Sequence, residues 1–136
     1  MSPEQLLGEL ESNGRIVLCD MEAGLGTVVR VQPGQLDVLV VVAEPSAKGI
    51  DVARRAAAIG ASRARVVVIA NRIREPADLE AIRDALPEHE LIVVPEDPVI
   101  ARADRDGLAP FDVDPESPGV KAIVELADQL ATPALS

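Results

Sequence analysis

Four stretches of the chain are apolar without interruption: Arg15–Asp20 (RIVLCD), Asp37–Glu44 (DVLVVVAE), Arg65–Asn71 (RVVVIAN) and Glu90–Pro95 (ELIVVP). Each is short and rich in Val with Ile or Leu, and none alternates apolar with polar. A strand covered on both faces reads this way. Parallel strands need crossovers, and helical patterns stand between or beside these runs. A first helix is predicted from Ser2 to a stop at Gly14. Ser2 caps it, Pro3 takes its first position, Gln5 completes a capping box, and Leu6, Leu7 and Leu10 form its apolar face. A second runs from about Ala47 to Ile59, with Ile50, Ala53 and Ala57 on one face and Gly60 as its stop. A third follows Glu75-Pro76, carries Leu79, Ile82 and Leu86 at helical spacing, and ends at Pro87. Asp97 caps a short fourth helix that holds Val99, Ile100 and Ala103. The last spans about Pro118 to Ala131, with Val120, Ile123, Val124, Ala127 and Leu130 expected against the core and Thr132–Ser136 as a flexible tail. Thr27–Val31 reads as a short helix or an edge strand, and Pro33-Gly34 as a turn.

This order of elements predicts a single α/β domain over residues 1–136, with three layers and a mainly parallel sheet of about four to five strands flanked by helices. Hydrophobic residues make up 48% of the 136, enough for a sizeable core. Phe111 is the only aromatic residue, so Val, Ile, Leu and Ala fill that core. Cys19 is the only cysteine, which rules out an intrachain disulfide and suits a reducing, cytoplasmic setting; Cys19 itself reads as a small buried hydrophobe. Met1–Leu10 carries Glu4 and Glu9 and does not read as a signal peptide, and no run reaches the ~20 apolar residues of a membrane span. The net charge of −10 repels nucleic-acid phosphates, and Arg54, Arg55, Arg63 and Arg65, interleaved with alanines, read as a solvated face. Neither nucleic acid nor membrane is expected as a partner.

Ligands of open parallel sheets bind beyond the carboxyl ends of the strands, so those ends are where chemistry is expected. The first run ends in Asp20-Met21-Glu22-Ala23-Gly24. Asp20 is suited to hold a water on Mg²⁺, Glu22 adds a second carboxylate, and Gly24 lets a backbone N–H approach a phosphate. The third run ends in Asn71-Arg72, where the amide offers both donor and acceptor to a purine edge. The fourth ends in Pro95-Glu96-Asp97-Pro98, with Pro95 placed to lie against a base and Asp97 as a helix cap. Each residue also has an ordinary structural explanation as a cap or turn former.

Read in order, this rim resembles MinD/ParA-type P-loop ATPases. The first run with Asp20-Met21-Glu22-Ala23-Gly24 resembles their Walker B and switch II segment, and Val40–Ser46 (VVVAEPS) their next strand. Asn71-Arg72 falls where that family keeps an Asn-Lys or Asn-Arg pair at the adenine. Val94–Ile100 (VPEDPVI), with Ala103-Asp104 and Gly107-Leu108, resembles the segment beside the base. The nearest flavour is the nickel-insertion ATPases of carbon monoxide dehydrogenase maturation. The resemblance covers roughly Ile16 to Leu130. It implies a P-loop-like or Rossmann-like fold truncated at the N-terminus, and ATP or ADP with Mg²⁺ as ligand. Asp20, Glu22 and Gly24 would lie at the phosphates and metal, and Asn71, Arg72, Pro95, Glu96 and Asp97 on the adenine side.

The chain departs from that pattern in three ways. Nothing matches G-x-x-x-x-G-K-[ST], and the two lysines, Lys48 and Lys121, are placed otherwise. The Ser2–Asn13 helix stands where the family has its phosphate loop, and the Cys-x-Cys pair of the nickel-insertion relatives is absent. Phosphoryl transfer rests on positioning and charge neutralisation, so independent ATP hydrolysis is not expected. The resemblance places the phosphate-loop strand between the first and second apolar runs. Those runs therefore pair directly, or another chain fills the gap, which implies a protein partner or homodimer. Three functional readings are open: a non-hydrolytic regulatory or assembly module; half of a split ATPase whose phosphate loop comes from a partner; and a receiver-like signalling domain. The last is opposed by Asn71, which stands where a phosphoacceptor Asp is wanted.

Overall fold

The computed structural model describes residues 16–21 and 30–131. Its sheet is parallel, with strands β1 (Val38–Ala43), β2 (Arg65–Ile73) and β3 (Glu90–Pro95) in that order. Helix α1 (Ala47–Gly60) crosses from β1 to β2, and α2 (Pro76–Ala85) from β2 to β3. After β3 come α3 (Pro98–Asp106), the single turn α4 (Pro110–Val113), which no sequence pattern announces, and α5 (Pro118–Ala131). The expected class therefore holds. The predicted first helix, the tail Thr132–Ser136 and most of Thr27–Val31 lie outside the described residues.

The strands are covered on both faces, as their uninterrupted apolar runs require. On one face Val41, Ala43, Val66, Val68 and Ala70 pack with Ala53 and Ala57 of α1, with Ile82 of α2 and with Leu86. On the other, Val67, Ile69 and Val94 pack under Leu126 of α5, with Ala122 and Leu130 beside it. At the strand starts Arg65 grips Glu90 with paired hydrogen bonds of 2.8 and 2.7 Å, which hold the Glu90 carboxyl below the usual range.

Four expectations are corrected. Ile16–Met21 forms no strand. It is irregular, with Ile16 76% and Leu18 92% exposed, so the sheet has three strands among the described residues. Cys19 accordingly sits half-buried outside any strand. In α5, Ile123, Val124 and Ala127 face outward, while Gly119, Val120, Ala122, Leu126 and Leu130 turn inward. The helix carries two apolar stripes, and the one containing the small residues docks because Gly119 and Ala122 permit close approach. Gly60 is not a left-handed stop. It is the last helical residue, and a Cβ there would run into Leu39 of β1, so its smallness serves packing. The Pro33-Gly34 turn is present, with Gly34 at φ 90° and Gln35 N donating to Gln32 O at 3.1 Å.

A bulge interrupts the end of β2. Asn71 pairs with Val94 and Ile73 with Pro95, so Arg72 is an extra residue with no partner in the register. Its φ of 58° lies in the left-handed region, at a cost of about 1–3 kcal/mol. The insertion reverses the side-chain alternation. Ile73 consequently packs on the same face as Val66, Val68 and Ala70 instead of opposite them.

Candidate functional site

Because the strands are parallel, their carboxyl ends share one rim. That rim carries Glu44 after β1, Asn71 and Arg72 in β2, and Pro95, Glu96 and Asp97 at the end of β3. A hollow of about 720 Å³ there brings together all of the residues expected on the adenine side: Asn71, Arg72, Pro95, Glu96 and Asp97. Ile100 and Leu108 give it an apolar wall, and Arg105 adds a cation. Leu108 is held there by Gly107, which ends α3 at φ 69°. Beyond Arg72 lies a second hollow of about 720 Å³, lined by Glu44, Ser46, Arg74, Glu75 and Asp78.

Asn71 Nδ2 donates to Glu44 Oε1 at 3.2 Å. A carboxylate only accepts, so this bond fixes which way the amide points and leaves Asn71 Oδ1 as the free acceptor. Arg74 makes the tight ion pair with Glu96, at 2.7 Å, whereas Arg72 stands 3.7 Å away and is 58% exposed. Arg72 is therefore the less committed cation of the two. Neither arginine was expected to share one carboxylate, because sequence spacing does not reveal a bulge.

Asp97 is engaged internally. Its Oδ1 accepts from Val99 N at 2.9 Å in the first turn of α3, and its Oδ2 from Gly119 N at 2.8 Å in the first turn of α5. One carboxylate thus caps two helices. Burial alone would raise its pKa. The Gly119 and Val99 amides outweigh that and hold the group below the usual carboxylate range. Ser117 Oγ is itself buried and lies outside hydrogen-bond geometry, so the two backbone amides are the contacts that matter. A Cβ on Gly119 would come within 2.9 Å of Asp97 Cβ and 2.7 Å of Ile100 Cδ1. Gly119→Ala is therefore expected to lower stability by about 1 kcal/mol in denaturant unfolding.

Of the proposed phosphate and metal residues, Asp20 is not drawn into this site. Asp20 is exposed and borders a separate hollow of about 340 Å³ along β1, which shares no lining residue with the rim hollow. Its expected place at the end of a buried strand is lost because Ile16–Met21 does not join the sheet. Glu22 and Gly24 lie outside the described residues. The arginines read as a solvated face are engaged locally. Arg54 and Arg55 pair with Asp51, Arg65 with Glu90, and Arg63 donates to Val31 O and Ile59 O.

Two proteins are similar in sequence. The chain is 31% identical over 102 residues to the carbon monoxide dehydrogenase accessory protein CooC of Rhodospirillum rubrum, a match covering 73% of this chain and 39% of that protein. It is 30% identical over 132 residues to an uncharacterised ATP-binding protein of Methanocaldococcus jannaschii, covering 93% of this chain and 50% of that one. The chain thus spans half or less of the length of these relatives. No protein-family profile matches it. One of these two relatives is described as ATP-binding. No helix among the described residues is long and apolar enough to cross a membrane.

Proposed function

We propose that this chain is a degenerate MinD/ParA-type nucleotide-binding domain. It holds an adenine nucleotide at the rim without hydrolysing it, and serves in the cytoplasm as a regulatory or assembly module. The observation that carries this reading is the convergence of Asn71, Arg72, Pro95, Glu96 and Asp97 on one hollow. Pro95, Ile100 and Leu108 supply an apolar seat for a flat base. Asn71 Oδ1, left free by the Glu44 bond, is an acceptor suited to the exocyclic amine of adenine; guanine presents a carbonyl there and would be disfavoured. Arg72 can leave its long contact with Glu96 for the ribose or phosphate side. No lysine or glycine-rich loop matching G-x-x-x-x-G-K-[ST] exists in the sequence to cradle phosphates, so binding without turnover is the expected behaviour.

Calorimetric titration with ATP, ADP and GTP, each with and without Mg²⁺, tests this. Adenine nucleotides are expected to bind with little dependence on Mg²⁺ and more tightly than GTP, with no phosphate release above background. Absence of heat at millimolar ATP would remove the reading. The hollow along β1 favours a second reading: half of a split ATP-binding unit, whose phosphate loop and adjoining strand come from a partner.

A further inference from the structure

We infer that the rim hollow selects an adenine nucleoside carrying a single phosphate, and not a triphosphate. This inference deepens the adenine-nucleotide reading and rests on it. It turns on where the positive charge of the chain lies. Of all the lysines and arginines in the sequence, only Arg15 falls outside the described residues, so every other one has a known position. Two of them line the hollow, Arg72 and Arg105. Lys48 and Lys121 do not, and Arg74 is held at 2.7 Å by Glu96. Arg105 lies in the last turn of α3 and has no ion-pair partner among the described residues. Arg72 has the loose contact of 3.7 Å with Glu96. A phosphate monoester carries a charge of about −1.5 to −2 at neutral pH, which these two guanidinium groups match.

Further phosphates have no such counterpart. The lining also holds the carboxylates of Glu96, Asp97 and Asp104. Glu96 is shared by Arg72 and Arg74, and Asp97 is occupied by the Val99 and Gly119 amides. Asp104 is exposed and has no ion-pair partner among the described residues, so its charge faces the hollow uncompensated. Past Arg72, a lengthening phosphate chain enters the second hollow, where Glu44, Glu75 and Asp78 stand against Arg74. Either course sets like charges together, in a molecule whose net charge is already −10. One phosphate is therefore matched, and a longer chain is repelled.

The test is calorimetric titration of the full chain with adenosine, AMP, ADP and ATP at low salt, without Mg²⁺ and with it. AMP is expected to bind about tenfold more tightly than adenosine, and ATP no more tightly than AMP in either condition. Arg105→Gln changes an exposed side chain at a helix end, so the fold should stand. It should shrink the advantage of AMP over adenosine to about twofold, whereas Arg105→Lys, which keeps the charge, should retain more of it. Asp104→Asn removes the uncompensated carboxylate and should tighten ATP about threefold, and AMP less. Tighter binding of ATP than of AMP would overturn the inference and leave the adenine site in place. So would an unchanged ratio of AMP to adenosine affinity in Arg105→Gln. Silence from all four compounds would instead remove the adenine-nucleotide reading itself, and this inference with it.

Discussion

Asp97→Ala is expected to lower the unfolding free energy by about 2 to 3 kcal/mol, because two helix starts lose their cap in one substitution. Val99 N and Gly119 N would both lose a charged acceptor, and the Gly119 N bond is buried. The effect has a distinctive pH dependence. The carboxyl of Asp97 is lowered in the folded state, so its contribution is fully present above the ordinary carboxylate pKa of about 4. It is lost as pH falls through the depressed folded value. The gap between parent and variant in urea unfolding should therefore be full at neutral pH and shrink in acid. A gap independent of pH down to strong acid would mean that shape, and not the charged double cap, is what the residue supplies. Asp97→Asn should keep one acceptor and lose roughly half as much.

Asn71→Leu is expected to weaken ATP and ADP about thirtyfold, or roughly 2 kcal/mol, while leaving GTP little changed, so that base preference disappears. Leu is close to Asn in shape, so the sheet should stand. A sharper test is Glu44→Gln. The Gln side chain can donate as well as accept, so the Asn71 amide is no longer forced to present its oxygen. Discrimination between adenine and guanine should then relax while overall affinity is kept. Calorimetry on both variants measures this. Unchanged preference in Glu44→Gln would show that Asn71 does not read the base.

Much of this architecture was legible in the sequence because its signals are local. The runs at Asp37, Arg65 and Glu90 are apolar without alternation, and Ser46, Glu75-Pro76 and Asp97-Pro98 punctuate the helices between them. Once strands are parallel their carboxyl ends must share a rim, so Asn71 and Pro95 could be placed together from sequence alone. The features that escaped depend on partners elsewhere in the chain. Arg15–Asp20 has the composition of a buried strand, yet pairing is a tertiary property, and Ile16–Met21 does not pair. The inward stripe of α5 is hidden because Ile123 and Val124 look more like core than Gly119 and Ala122 do. The fit against β3 and Asp97 rewards small residues there. The second bond of Asp97 joins residues 22 apart, a distance no capping rule spans.

The residue inserted at Arg72 also divides the molecule by how it opens. Before it, Val67–Ala70 are paired on both sides and buried, and their amides can exchange with solvent only when the whole domain unfolds. Beyond it, one backbone bond, Glu96 N to Ile73 O at 3.0 Å, and the Arg72 and Arg74 contacts to Glu96 hold the strand ends together. Those can part while the ladder stays closed. The rim is thus a small opening unit set on a rigid base, and a ligand seated there should slow exchange at the Glu96 amide and leave that of Val68 untouched.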